Sequence, residues 1–130
     1  MKKVIFACVH NAGRSQMAAA LFNKYSDPSK AVAISAGTNP ADKVHPGVLQ
    51  SMKEIDIDLS NAKPQLLTQK LAEDAHLLVT MGCGESCPNV PGLKRLDWPL
   101  TDPKDKSLQE VAVIRSQIEA NVKELLQTLC

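Results

Sequence analysis

The sequence predicts an α/β protein in which a four-stranded parallel sheet lies between two layers of helices. Short apolar segments alternate along the chain with longer segments that have helical spacing. This alternation is typical of parallel sheets that carry helices on both faces, giving a three-layer α/β/α arrangement. The length of 130 residues and the apolar share of 44% fit a single domain, residues 1–130, with a sizeable core.

Apolar runs of strand length predict the sheet. Residues 3–7 form the first run, residues 31–35 the second and residues 77–81 the third. A shorter stretch around Leu96 predicts a fourth strand. The loops that follow the carboxyl ends of these strands are expected to form the functional site, as they do in open parallel sheets.

Three segments predict helices. The first runs from Ser15 to about Lys24 with one apolar side. The second opens at Pro46, because proline is favoured at the first helical position; its apolar residues are Val48, Leu49, Met52 and Ile55. The third is an amphipathic helix over roughly Leu108–Leu129, in which apolar residues recur every three or four positions.

Charge and composition exclude several classes of partner. The formal net charge is +1, and the lysines and arginines are spread among acidic residues, so neither nucleic acid nor a membrane surface is an expected partner. The apolar run after Lys3 stops at His10, which is too short for a signal peptide. No stretch approaches the roughly 20 apolar residues of a membrane span. We therefore expect a cytoplasmic protein, whose four cysteines are catalytic or redox-active rather than disulfide-bonded.

A short loop between the first strand and the first helix predicts an oxyanion site. Cys8 and Arg14 enclose five residues there. A loop of this length can turn its backbone N–H groups inward as a nest, and the following helix adds the positive end of its dipole. The Arg14 guanidinium can hold two oxygens at once. The residues expected to bind the anion are Val9, His10, Asn11, Ala12, Gly13, Arg14 and Ser15.

The positive end of the helix dipole and the Arg14 guanidinium favour the thiolate form of Cys8. The thiolate would then be a nucleophile aimed at the central atom of the anion. Ser15 can donate a hydrogen bond to the sulfur. Asn11 tolerates a left-handed conformation, and Gly13 allows close approach of the backbone or a positive φ. A buried, inert thiol at a strand end is the alternative interpretation.

The loop sequence, Cys-Val-His-Asn-Ala-Gly-Arg-Ser-Gln-Met-Ala at residues 8–18, resembles the arsenate reductase branch of the low-molecular-weight tyrosine phosphatase superfamily. In that branch Arg-Ser-Gln-Met-Ala replaces the Arg-Ser-Pro that is usual in the phosphatases. Further segments resemble the family in the same order along the chain: residues 35–37, 45–46, 79–84 and 97–103. The resemblance implies a low-molecular-weight phosphatase-like fold and reduction of arsenate, with phosphate or sulfate as mimics of the substrate.

The resemblance also implies roles for three further residues. Asp102, followed by Pro103, would be the acid that protonates the departing oxygen; without the resemblance it is simply a turn residue. Cys83 and Cys87 would supply the two electrons by attacking the Cys8 sulfur, in a relay that thioredoxin reduces. Alternatively, the electrons come from an external low-molecular-weight thiol with a glutaredoxin-like protein, and the two cysteines are bystanders. No bound cofactor is expected.

Two other functions compete with arsenate reduction. A phosphatase acting on phosphotyrosine or on a small phosphate ester would use the same loop, because arsenate and phosphate share charge and shape. Zinc bound by Cys83 and Cys87 with His76 or His45 is a weaker alternative, since only one cysteine pair is present. We therefore expect no metal site.

Overall fold

The computed structural model describes residues 2–81 and 92–129. Strands and helices alternate through most of the chain, as predicted. The elements are β1 (Lys2–Cys8), α1 (Arg14–Tyr25), β2 (Ala31–Gly37), α2 (Pro46–Lys53), α3 (Gln69–Glu73), β3 (Leu77–Thr80), β4 (Lys94–Asp97) and α4 (Leu108–Leu129).

The four strands form one sheet in the order β2-β1-β3-β4, and every neighbouring pair is parallel. The prediction of a four-stranded parallel sheet is confirmed. The chain passes from β1 to β2 on one side and then crosses over to β3 on the other, so the connections leave β1 in opposite directions. Ligands of open α/β sheets bind at such a switch point, beyond the carboxyl ends of the strands. Cys8, the last residue of β1, lies at this position.

Alternate side chains of the central strand β1 enter two different apolar layers. Val4 and Phe6 pack into the larger layer, and Ile5 and Ala7 pack into the smaller one. Helices α1, α2 and α4 cover the larger layer, with fully buried side chains that include Met17, Phe22, Val48, Met52 and Ile118. The smaller layer is covered by α3 and the segment before it, through Leu67 and Leu71. Helices on both faces are thus confirmed, although the two layers differ in size.

The structure differs from the predicted elements at three places. Helix α3 was not predicted, because five residues are too few to show a helical period. Helix α2 ends at Lys53, so Ile55 follows the helix rather than lying on it. Strand β3 ends at Thr80, but the N–H of Met81 still donates to the Ala7 carbonyl at 2.7 Å, which continues the pairing by one bond.

Helix α4 has the predicted bounds and begins with a capping box. The Ser107 hydroxyl accepts the Glu110 N–H at 3.1 Å, and the Glu110 carboxylate accepts the Ser107 N–H at 3.3 Å. The buried face contains Val111, Ile114, Ile118, Val122 and Leu125, spaced as the sequence predicts. Neither α4 nor any other helix in the described part of the chain is long and apolar enough to cross a membrane.

Candidate active site

The loop between β1 and α1 is held from outside by its carbonyl groups. The carbonyls of Cys8, Val9, His10 and Ala12 accept backbone N–H bonds from Thr38 (3.3 Å), Asn39 (2.8 Å), Ala41 (2.9 Å) and His45 (2.9 Å), respectively. The Gly13 carbonyl accepts the N–H of Met17 at 3.0 Å, in the first turn of α1. The Asn11 carbonyl accepts a side-chain bond from Gln16 at 3.0 Å. All six carbonyls of residues 8–13 are therefore engaged.

The N–H groups of the same loop have no such partners. Within residues 2–81 and 92–129, the backbone N–H groups of residues 9–15 donate to no carbonyl and to no side chain. Successive unpartnered N–H groups at a helix N-terminus form a site for a tetrahedral anion. These N–H groups belong to residues for which the sequence predicts anion binding, and that binding stays a prediction; the residues are Val9, His10, Asn11, Ala12, Gly13, Arg14 and Ser15.

The Cys8 thiol lies at the base of the loop and is buried. Its sulfur is 2.9 Å from the Ser15 hydroxyl oxygen. The same oxygen accepts a hydrogen bond from the Asn11 side-chain amide at 2.7 Å. Because that bond occupies a lone pair of the oxygen, the Ser15 hydroxyl hydrogen is available to the sulfur.

Asn11 adopts the left-handed conformation that the sequence allowed, with φ of 51°, and is completely buried. Its side-chain oxygen accepts the backbone N–H of Gln65 at 2.9 Å. Gly37, at the end of β2, packs directly beneath this part of the loop. A Cβ added at Gly37 would lie 2.6 Å from the Val9 carbonyl oxygen and 2.9 Å from the Asn11 nitrogen. The loop conformation thus requires a glycine at this position.

Of the two predicted reasons for a glycine at position 13, the positive φ is wrong, and close approach of the backbone to the anion stays a prediction. Gly13 has φ of −142°, so it does not use a positive φ. A Cβ at Gly13 would instead lie 2.7 Å from Pro103 Cγ and 3.5 Å from His45 Cδ2. Gly13 is needed because the loop after β4 packs closely against it, which brings Asp102 and Pro103 to the site.

Arg14 is oriented by a backbone carbonyl from that later loop. Its Nη1 donates to the Leu100 carbonyl at 2.9 Å, and its Nη2 lies 3.9 Å from an Asp102 carboxylate oxygen. Its Nε is buried and has no hydrogen-bond partner among the described residues. With Nη1 held, Nε and Nη2 form the edge of the guanidinium that can bind two oxygens of one anion.

Asp102 lies at the opening of the site. Its carboxylate accepts the Lys104 N–H at 3.0 Å, and its side chain is 45% exposed, so it can exchange protons with water. His45 lies near it, and His10 lies near His45. His10 Nδ1 is 3.1 Å from the Asn39 carbonyl, which can only accept, so Nδ1 carries the proton. Burial lowers the pKa of His45, and the Asp102 carboxylate partly opposes that shift.

The two histidines of the zinc alternative lie at different ends of the sheet. His76 Nδ1 accepts the Lys3 N–H at 3.0 Å at the amino end of the sheet, whereas His45 contacts the loop at the carboxyl end. The described residues contain no group of three histidine, cysteine or acidic side chains that could hold a metal. Cys83 and Cys87, which were predicted to be redox-active, lie outside the described residues.

Two groups that organise the site were not predicted. They are the Leu100 carbonyl, which orients Arg14, and the Gln65 N–H, which holds Asn11. Both belong to the backbone, so no residue type in the sequence marks them. Only the fold brings them to the loop.

Comparison with known proteins places the chain in a family. Residues 3–130 match the family of the low molecular weight phosphotyrosine protein phosphatases, so the chain belongs to that family.

Three similar proteins carry the name arsenate reductase. A putative arsenate reductase of Halobacterium salinarum is 34% identical over 124 residues, which cover 92% of this chain and 87% of the relative. A glutaredoxin arsenate reductase of Synechocystis is 33% identical over 129 residues, with 97% of each chain covered. The structure of a thioredoxin-dependent arsenate reductase from Corynebacterium glutamicum superimposes with a TM-score of 0.85 at 38% identity. That alignment covers 99% of this chain and 62% of the other.

Proposed function

We propose that this chain is an arsenate reductase with Cys8 as its nucleophile. One observation carries the proposal. The carbonyls of residues 8–13 are all hydrogen-bonded, whereas among the described residues the N–H groups of residues 9–15 and the Arg14 Nε have no hydrogen-bond partner. The cradle suits a tetrahedral oxyanion such as arsenate. The names of the relatives support arsenate as the anion and thiol-dependent reduction as the reaction.

In the first step, the Cys8 thiolate attacks the arsenic atom and forms a sulfur–arsenic bond. An oxygen leaves as water, and Asp102 in its acid form supplies a proton to it. The loop N–H groups and Arg14 stabilise the negative charge on the remaining oxygens. The neighbouring Arg14 and the partly exposed carboxylate fit this role for Asp102.

In the second step, another thiolate attacks the Cys8 sulfur. A disulfide forms, the sulfur–arsenic bond breaks, and arsenic keeps the electron pair, which gives arsenite. The two sulfur atoms together lose the two electrons that arsenic gains. The attacking thiol is Cys83 or Cys87 in a relay reduced by thioredoxin. In the alternative, an external low-molecular-weight thiol attacks the adduct at Cys8 and a glutaredoxin-like protein resolves the product.

The printed names of the relatives include both a thioredoxin-dependent enzyme and a glutaredoxin enzyme, so they support a thiol protein as the reductant without choosing between the two. We place the reaction in the cytoplasm, because thioredoxin and glutathione keep thiols reduced there. We also treat residues 1–130 as one domain.

A phosphatase is the alternative function, since the cradle does not distinguish arsenate from phosphate. A pocket for a phenyl ring needs apolar or aromatic walls. The chain has four aromatic residues, Phe6, Phe22, Tyr25 and Trp98, and each is engaged elsewhere. Phe6 packs in the core against both Phe22 and Trp98, with ring centroids 5.9 and 5.5 Å away. Tyr25 donates to Glu119 at 2.9 Å, on the surface of α1 and α4.

The test is arsenite formed from arsenate by the purified protein, with a thioredoxin system and a small-thiol system supplied in parallel. Cys8→Ser should abolish turnover in both systems. Cys83→Ser and Cys87→Ser separate the two routes, and Cys130→Ser is the matched thiol control. If Cys83→Ser or Cys87→Ser loses turnover with thioredoxin as the electron donor, the internal relay is supported. If only Cys8→Ser loses turnover, and the small thiol is the electron donor, the external route is supported.

If neither system yields arsenite while p-nitrophenyl phosphate is still hydrolysed, the reductase proposal fails and the phosphatase remains.

A further inference from the structure

We propose that Gln16 is a positioning residue that fixes the direction of the hydrogen bonds ending at the Cys8 sulfur. Gln16 lies in the first turn of α1 and is 6% exposed. Its side-chain Nε2 donates to the Asn11 carbonyl at 3.0 Å and lies 3.3 Å from the Asn11 side-chain oxygen. Neither contact reaches the Cys8 sulfur or a loop N–H group, so Gln16 acts through Asn11.

The Asn11 carbonyl differs from the other five in the loop. Those five accept backbone N–H groups, which no side-chain substitution removes. The Asn11 carbonyl alone is held by a side chain. Asn11 is also the loop residue with a positive φ, and it is completely buried. Water cannot readily replace the Gln16 amide there, so losing it leaves a buried acceptor unsatisfied.

The second bond of Gln16 orients the Asn11 amide. The Asn11 side-chain oxygen faces two donors, the Gln16 amide and the backbone N–H of Gln65. This leaves the Asn11 amide nitrogen to donate to Ser15 at 2.7 Å. The reversed amide would turn an NH₂ group toward two donors and an acceptor toward Ser15. The Ser15 hydroxyl would then donate to Asn11 instead of to the sulfur.

The inference concerns the state of the Cys8 thiol, so its test does not depend on whether the anion is arsenate or phosphate. Only the role of Gln16 in turnover rests on the proposed function. The readout is therefore the rate of iodoacetamide alkylation at Cys8 as a function of pH, followed on the Cys8 peptide by mass spectrometry. Thiolate is the reacting form, so the rate reports its population.

Gln16→Met keeps the length of the side chain and removes its amide. We expect alkylation on the acidic limb of the profile to slow by roughly three- to tenfold, as expected for loss of one hydrogen bond. The limiting rate at high pH should be unchanged. Gln16→Glu should slow alkylation on the acidic limb at least as much. An ionised carboxylate there faces two acceptors of Asn11 and donates to neither. The Glu variant also keeps the test usable if the Met variant does not fold.

Asn23→Leu is the matched control. Asn23 is an amide on the same helix, and it bonds both the N–H and the carbonyl of Ala33 at 2.8 and 2.9 Å, on the outer edge of β2. Its loss should lower the melting temperature and leave the alkylation profile of Cys8 unchanged. The proposal is overturned if the Gln16 variants behave like Asn23→Leu, with lower stability and a wild-type profile. A wild-type alkylation profile in Gln16→Glu would overturn the proposal even if the profile of Gln16→Met is shifted.

Discussion

Glycine occupies two positions at which another segment packs closely against the loop between β1 and α1. At Gly13 the neighbour is the ring of Pro103, and at Gly37 it is the backbone of Val9 and Asn11. A side chain at either position would push on the loop from outside and disturb the direction of its N–H groups. At the scale of single residues, the candidate site thus depends on small side chains as much as on Cys8 and Arg14.

Gly37→Ala should lower kcat/KM for arsenate by at least about tenfold, because its Cβ would lie 2.6 Å from the Val9 carbonyl oxygen. The chain supplies a matched control in Gly47→Ala. Gly47 lies in α2, and the nearest atom to its added Cβ is Val111 Cγ2 at 3.9 Å.

The control variant should keep full activity and gain about 0.5–1 kcal/mol in free energy of unfolding, since alanine is the better helix former. Steady-state arsenite production and urea unfolding measure the two quantities. Equal activity in the two variants would show that the loop can shift without loss of function.

Most element types followed from the sequence, and the exceptions have physical reasons. Strand β1 reads as a continuous apolar run because it is central and buried on both faces. Helix α4 is long enough to show its period over six turns. Helix α3 is a single short segment stabilised by a cap, in which the Thr68 hydroxyl accepts the Leu71 N–H at 3.1 Å. Such a cap is common outside helices too, so it does not by itself predict one.

Ser107→Ala should destabilise the protein by about 1 kcal/mol, because it removes the hydroxyl that caps α4. The Glu110 N–H would lose its 3.1 Å partner. The reciprocal bond also holds the pKa of the Glu110 carboxyl below its usual value. Because the Ser107 backbone N–H that makes this bond is kept in the alanine variant, the destabilisation should persist both at neutral pH and in acid, where Glu110 is protonated. Urea unfolding at the two pH values measures both effects, and Ser116→Ala on the middle of α4 is the control.

At the scale of the whole molecule, the sequence predicted the contiguous part of the site but not the backbone contacts that distant segments make with it. Residues 8–15 are contiguous, so the order strand, loop, helix was enough to place Cys8, Arg14 and the N–H groups together. The contacts of Leu100 and Gln65 with this loop depend on the packing of the complete sheet. The position of Asp102 came from a family resemblance, and the structure brings its carboxylate to 3.9 Å from Arg14.

Stability should fall in mild acid partly because of His45. Burial lowers the pKa of His45 below 6.5; Asp102 and Asp105 oppose the shift, and Lys104 and His10 add to it. The unfolded chain therefore takes up this proton first as the pH falls through about 6.5, and the native state loses stability until its own His45 is protonated. His45→Gln should flatten the dependence of unfolding free energy on pH over this window. An unchanged slope in that variant would assign the acid sensitivity to other groups.

The bond between Arg14 and the Leu100 carbonyl spans 86 positions of the chain. The loop, its first helix and the segment that holds its carbonyls all lie within the first 45 residues, so they can assemble early during synthesis on the ribosome. The guanidinium acquires its fixed direction only when residue 100 has left the ribosome and β4 has joined the sheet. Once Gln65 has also emerged, a nascent chain contains every residue that holds the loop, but it still lacks the carbonyl that orients the Arg14 guanidinium.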